Sequence, residues 1–171
     1  ILQSDYSRRR LVGLVAHNSS SPFTVHNRAS ILTNGVEKFS AMIQALERAA
    51  HHIHMEYYIW RNDGIGRDIA NILIEKAKQG VEVRVIYDAV GSWELDRKYI
   101  KELRDAGVEI YPFLPVVFPI IGSKVNYRNH RKIVVVDGKI GFLGGLNIGD
   151  EYLGNDTRMG FWRDTHLRVQ G

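Results

Sequence analysis

Asn129-His130-Arg131-Lys132-Ile133-Val134-Val135-Val136-Asp137 sets a polar head against four apolar, mostly β-branched residues. That contrast reads as a strand entered from a polar loop. Asp137-Gly138 follows, a strong hairpin-turn pair, and Lys139 to Phe142 supplies the return strand. Residues two apart on a strand share a face, so His130 and Lys132 are expected side by side. A neutral imidazole beside an ammonium suits attack at phosphorus, because the cation disfavours ring protonation and neutralises phosphate oxygens.

Upstream, the chain alternates strands with helices. Asn34-Gly35-Val36-Glu37 predicts a helix start with Asn34 as N-cap, and Val36, Phe39, Ile43, Leu46 and Ala50 follow at helical spacing. Ile53, Met55, Tyr57 and Ile59 then alternate with polar residues at strand period. A helix is expected from Gly66 to Gln79, stopped by Gly80, then a strand from Val81 to Tyr87. A further helix from Trp93 to Ala106, closed by Gly107, leads to a strand from Val108 to Tyr111. The rhythm is βαβαβ, then the hairpin, then a last strand over Thr165 to Val169. The fold class is therefore α/β, with a mixed sheet sandwiched between helices. Residues 1–28, with the basic triplet Arg8-Arg9-Arg10 and the turn-rich Asn18 to Pro22, read as a short helix and loop leading in.

Composition narrows the chemistry. The 171 residues suit one domain with a real core, and 44% hydrophobic with 25% charged residues excludes wholesale disorder. Twenty-three Lys and Arg against nineteen Asp and Glu give +4, which suits an anionic partner without choosing among nucleic acid, phosphorylated ligand and acidic membrane. Zero cysteines exclude disulfides, a thiolate nucleophile and Cys-ligated metals. His52, His54 and Glu56 share a strand face, but no fourth ligand is apparent and no metal is expected there. No apolar run reaches the roughly 18 residues of a membrane span. The chain opens at Ile1, and a processed or excised piece of a longer protein is expected, with membrane spans outside it.

His130-x-Lys132-x4-Asp137, followed by Gly144-Gly145-Leu146-Asn147, resembles the HKD signature of the phospholipase D superfamily. Asn126 to Lys132, Gly144 to Tyr152, Trp162 to His166 and His54 to Trp60 are similar to the bacterial cardiolipin synthase branch, from about Ser20 onward. The resemblance implies that residues 29–171 form a phospholipase D-like catalytic half-domain, the first of two. It implies phosphatidyl transfer through a phosphohistidine, joining two phosphatidylglycerol molecules into cardiolipin with release of glycerol. His130 would be the nucleophile or its acid/base partner, Lys132 and Asn147 would hold phosphate oxygens, and the backbone at Gly144 and Gly145 would let the phosphate approach. Many relatives in the superfamily carry Ser where Gly145 stands.

Asp137 has the opposite parity to His130 and Lys132 and sits at a turn, so a mainly structural, hairpin-holding role is expected for it. Asp164 is the candidate to orient the histidine ring; an ion pair with Arg163 or Arg168 is the plainer reading. No cofactor is implied. The family needs two His-x-Lys motifs and this chain has one, so the site implies a second HKD half or a second copy. Phosphatidylglycerol and an anionic membrane surface are the expected partners, at the bacterial cell membrane. The proline-rich segment Tyr111 to Gly122 is read as a lipid-facing loop holding Phe113, Val117 and Ile121. The tract Lys124 to Lys132 keeps open a homodimeric phosphodiesterase acting on nucleic acid, which the apolar loop and the glycine pair disfavour. A non-catalytic lipid-binding half is the third class.

Overall fold

The computed structural model describes residues 2–19, 24–115, 128–154, 157 and 159–171. Residues 116–127, with most of the expected lipid-facing loop (Val117 and Ile121 included) and the start of the basic tract, lie outside them.

Seven strands form one mixed sheet: β1 (Arg28–Thr33), β2 (His52–Tyr57), β3 (Glu82–Asp88), β4 (Glu109–Phe113), β5 (Lys132–Val136), β6 (Ile140–Gly144) and β7 (Thr165–Gln170). Their order is β1-β7-β6-β5-β2-β3-β4. β2, β3 and β4 run parallel, and every other neighbour pairs antiparallel. The parallel part needs crossovers. Helix α3 (Gly64–Lys78) joins β2 to β3, and α4 (Arg97–Asp105) joins β3 to β4; α2 (Asn34–Glu47) joins β1 to β2.

The alternation read in β2 buries Ile53, Met55 and Tyr57 against the helices, beside Val83, Val85 and Tyr87 of β3 and Val134 and Val136 of β5. Phe39, Met42, Leu46, Ile69, Leu73 and Leu103 close this core from the helix side. Truncating one of these leucines to Ala would cost about 2–5 kcal/mol. Helices were expected on both faces. Among the described residues α2, α3 and α4 cover one, while Ile31, Ile86, Tyr111 and Leu143 stay exposed on the other.

Four local expectations change. β1 has no regular alternation and lies at the sheet edge, so its sequence carried no strand signal. An eighteen-residue helix α1 (Leu2–Ser19) replaces the short helix and takes in Asn18 and Ser19. The N-cap of α2 is Thr33, whose N–H is taken by Glu37 at 2.7 Å. Asn34 instead adopts φ +62° and turns its amide oxygen toward the Asp164 N–H, 3.1 Å away. Helix α4 begins only after Asp96, whose carboxylate accepts from Tyr99 N at 2.7 Å and so fixes the N-terminus four residues beyond Trp93. Pro112 falls in β4, an edge strand, where a missing N–H is tolerated. No helix among the described residues is long and apolar enough to cross a membrane.

Candidate active site

One edge of the sheet collects the polar side chains. β2, β3 and β4 end there, β5 and β7 start there, and β6 ends there. Helices α2, α3 and α4 each follow a strand that ends there, so their N-termini lie at the same edge.

Lys132 is the first residue of β5 and only 3% exposed, on the helix side of the sheet. Its ammonium donates to the His130 carbonyl at 2.7 Å and lies 3.0 Å from His130 Nδ1. The expected pair therefore forms, with His130 exposed just before the strand. An ammonium has only donors, so Nδ1 accepts and the neutral ring carries its proton on Nε2. Partial burial lowers the pKa of His130, the Lys132 charge lowers it further, and the Asp88 carboxylate opposes both. The ring is thus neutral at pH 7. Burial also lowers the pKa of Lys132, against the nearby Asp164 charge.

Two neighbours of His130 were not among the expected site residues. Tyr58, the residue after β2, places its ring 4.6 Å from the imidazole at 51° and 5.3 Å from the Lys132 ammonium. Asp88, the fully buried last residue of β3, accepts from Val90 and Gly91 N–H at 2.9 Å each and from Asn129 N–H at 3.1 Å. Arg128 Nη1 lies 3.7 Å from the same carboxylate. The side chain of Asn129 donates to Glu56, and its oxygen accepts from Arg131 N–H at 3.2 Å. The loop carrying His130 is therefore fixed to β2 and β3. A carboxylate directly after an apolar parallel strand was the available clue to Asp88.

The other expected residues take different places. Asp164 sits at this edge, where it accepts from Trp162 Nε1 at 3.3 Å and Thr165 N–H at 2.6 Å. Among the described residues no hydrogen bond joins it to His130. A Cβ on Gly145 would lie 2.4 Å from an Asp164 oxygen, and one on Gly144 would lie 2.4 Å from His166 Nδ1. On the Cβ side of the glycine pair the space is thus filled by Asp164 and His166. Asn147 is buried: its oxygen accepts from Ile59 N–H at 3.0 Å and its amide donates to Tyr152 Oη at 3.0 Å, so it ties the glycine segment to the chain after β2.

Asp137 is five residues along β5 from Lys132, about 17 Å by the strand rise, at the opposite edge. Its carboxylate does not hold its own hairpin. It accepts from the N–H groups of Ala50, His51 and His52 at 3.0, 2.8 and 3.0 Å, and so fastens the loop before β2. The turn itself has both central residues left-handed, Asp137 at φ +54° and Gly138 at +65°, as a tight hairpin requires. His54, from the expected non-metal trio, pairs with Glu82 at 2.9 Å.

His166 was not singled out by its sequence. It is 1% exposed, neither ring nitrogen has a partner among the described residues, and burial with the nearby Lys38 charge pushes its pKa down to about 4. Lys38 is fully buried as well; its ammonium lies 3.7 Å from the Phe39 ring centroid and 3.4 Å from the Asn147 carbonyl.

Comparison with known proteins agrees with this architecture. Residues 42–164 match the family described as "Cardiolipin synthase, PLD-like domain". The chain is 57% identical over 164 residues to the cardiolipin synthase of Geobacillus sp. (strain WCH70), covering 96% of this chain and 33% of that protein. It is 54% identical over 171 residues to the cardiolipin synthase of Halalkalibacterium halodurans, covering 99% of this chain and 34% of the relative. The chain thus spans about a third of the length of these relatives. Among solved structures, NucT from Helicobacter pylori superposes with TM-score 0.62 at 19% identity, covering 85% of this chain and 86% of that one. Phosphatidylserine synthase from Haemophilus influenzae superposes with TM-score 0.65 at 16% identity, covering 84% and 33%; both likenesses speak to the fold. By its family match the chain belongs to the cardiolipin synthase, phospholipase D-like domain family.

Proposed function

We propose that residues 29–171 form one catalytic half of a phosphatidyltransferase that makes cardiolipin from two phosphatidylglycerol molecules. The carrying observation is the Lys132 ammonium 3.0 Å from Nδ1 of a neutral, exposed His130. A phosphodiester entering this edge offers oxygens that compete with Nδ1 for the ammonium. Once the ammonium moves to phosphate, the ring proton can sit on either nitrogen, and the bare nitrogen attacks phosphorus. The N–P bond forms and the bond from phosphorus to glycerol oxygen breaks. An imidazolium on the facing half gives its proton to the departing glycerol. In the second step the hydroxyl of another phosphatidylglycerol passes its proton to that imidazole and attacks phosphorus, and the N–P bond breaks. Helix N-termini gathered at this edge favour the anionic substrate.

The facing histidine belongs to a second half of the same protein or a second copy of this chain. No cofactor enters the scheme. The spans that would hold the enzyme at a bacterial membrane are expected outside residues 1–171. The test uses the full-length protein containing this segment and vesicles of phosphatidylglycerol labelled on phosphorus. Quenching in alkaline denaturant, in which the acid-labile N–P bond survives, traps label on histidine, and His130→Ala abolishes cardiolipin formation. Because the His130 pKa is lowered, the neutral nucleophile is lost only as pH falls through a value below the ordinary 6.5. The acid limb of kcat/KM lies there. Full transfer by His130→Ala would refute the proposal.

A further inference from the structure

We propose that Tyr58 is a positioning residue that fixes the attack direction of His130 through the face of its ring. The inference rests on the reading of His130 as the group that bonds phosphorus. His130 is exposed and begins no element of secondary structure, and in the proposed reaction its Nδ1 loses the Lys132 ammonium to phosphate, so its side chain needs a second support to hold one rotamer. The Tyr58 ring supplies it, 4.6 Å from the imidazole centroid and 5.3 Å from the Lys132 ammonium. The tyrosine is itself backed. A Cβ at Gly91 would lie 2.9 Å from Tyr58 Cδ2 and Cε2 and 2.3 Å from its carbonyl oxygen, so only glycine leaves room for this ring. Ser92 Oγ donates to the same carbonyl at 3.1 Å.

Asp88 closes the assembly. Its two oxygens hold Gly91 N–H on one side and Asn129 N–H on the other. The loop that backs Tyr58 and the residue before His130 are therefore fastened to one buried carboxylate. Gly91, Tyr58 and His130 form a packed stack, the two rings tilted 51° to each other, with both ends fixed to Asp88. The ring also covers His130 from water, which contributes to the lowered pKa of the imidazole. Its π face favours the Lys132 ammonium beside it. The part of the ring that matters is its face; the phenol oxygen has no assigned role.

Three variants of the full-length protein separate the possibilities: Tyr58→Phe keeps the face, Tyr58→Leu removes it, and Tyr58→Met removes it while keeping bulk. Phosphatidyl transfer is measured across pH, with His130→Ala alongside. Tyr58→Phe is expected within about threefold of wild type, whereas the Leu and Met variants lose about 10- to 100-fold in kcat with little change in KM. In those two variants the acid limb moves to higher pH, because an uncovered imidazole is easier to protonate. Nuclear Overhauser contacts between His130 and Tyr58 ring protons in the unmutated protein check the stack without any substitution. Missing contacts overturn the proposal. So does a Phe variant as impaired as Leu, or Leu and Met variants matching wild type in kcat and acid limb while His130→Ala is dead. An active His130→Ala refutes the function reading instead, and the contacts still report on the stack.

Discussion

Removing the Asp137 carboxylate should lower stability and leave the geometry at His130 intact. In the folded chain its oxygens accept three backbone N–H groups, from Ala50, His51 and His52, at 3.0, 2.8 and 3.0 Å. Hydrogen bonds to a charged acceptor contribute about 1.5–3 kcal/mol each when sheltered and less in water. Two of these donors belong to exposed residues. Discounting for that, Asp137→Ala is expected to cost about 2–3 kcal/mol. Part of this comes from alanine at φ +54°, where the left-handed conformation itself costs about 1 kcal/mol. Asp137→Asn tolerates that φ and keeps one acceptor, so it should cost about half as much. Urea unfolding followed by circular dichroism measures both.

The pH dependence has a definite sign. Partial burial raises the Asp137 carboxyl pKa, but hydrogen bonds from His52, Ala50 and His51 outweigh that and lower it overall. A carboxylate lowered on folding stabilises above the unfolded value of about 3.9, and the contribution is lost as pH falls through the folded value. The gap between wild type and Asp137→Ala should therefore narrow below about pH 4. An equal gap at pH 3 and pH 7, or a variant within about 0.5 kcal/mol of wild type, would refute the reasoning. A disturbed His130 titration would refute the separation of Asp137 from the site.

The glycine pair should respond unequally. A Cβ on Gly144 meets backbone, Thr165 O at 2.7 Å and His166 Cα at 2.8 Å, so Gly144→Ala should cost about 1–3 kcal/mol in urea unfolding. The atoms nearest a Cβ on Gly145 all belong to the Asp164 side chain, which can turn away, so Gly145→Ala should cost clearly less. His166 has its pKa lowered to about 4 by burial first and then by Lys38, so the neutral ring stabilises above pH 6.5 and loses that contribution as pH falls toward 4. His166→Leu should remove this loss, and urea midpoints at pH 7.5 and 5 would show a flatter dependence. Lys38 is buried without a carboxylate partner among the described residues and its pKa is driven down by burial. Lys38→Met should therefore unfold at equal or higher urea concentration than wild type at pH 7.

The central sheet was legible because its strands are buried on one face, and burial writes itself as alternation in Ile53, Met55 and Tyr57. The hairpin was legible because Asp137-Gly138 is a local turn signal. β1 was not, since an edge strand with Ile31 71% exposed is under no pressure to alternate. At the site, His130 and Lys132 were legible because their proximity follows from spacing alone. Tyr58 and Asp88 stand at the ends of β2 and β3, which meet β5 only through the β5-β2-β3 pairing, and no local pattern reveals their approach to His130. The same holds for the glycines. Gly144 and Gly145 suggested a close approach, and the β6–β7 register, with Gly144 opposite His166, brings side chains of this chain against their Cβ side.

The site lies where the parallel strands give way to antiparallel ones, at the seam between β2 and β5. Ligands of open α/β sheets gather outside the carboxyl ends of strands at such a change of order. Under the proposed function this position also limits what the chain can do alone. Displacement at phosphorus runs in line, with the attacking and leaving atoms on opposite sides. His130 and Lys132 approach from one side, only 3.0 Å apart. The proton donor for departing glycerol must stand on the other. Of the remaining six histidines, four are placed away from it by the sheet, and none of the six has a hydrogen bond or ring contact with His130 among the described residues. His166 is buried beneath the glycines, His51, His52 and His54 lie at or run from the opposite edge, and His17 and His26 precede β1. Under the proposed function the exposed side of His130 is therefore half of a catalytic apparatus. Co-assembling His130→Ala protein with wild type distinguishes the two sources of the facing histidine. Transfer that falls as the square of the wild-type fraction requires two copies of this chain to meet at this edge, whereas transfer that falls in proportion to that fraction places both histidines within one polypeptide.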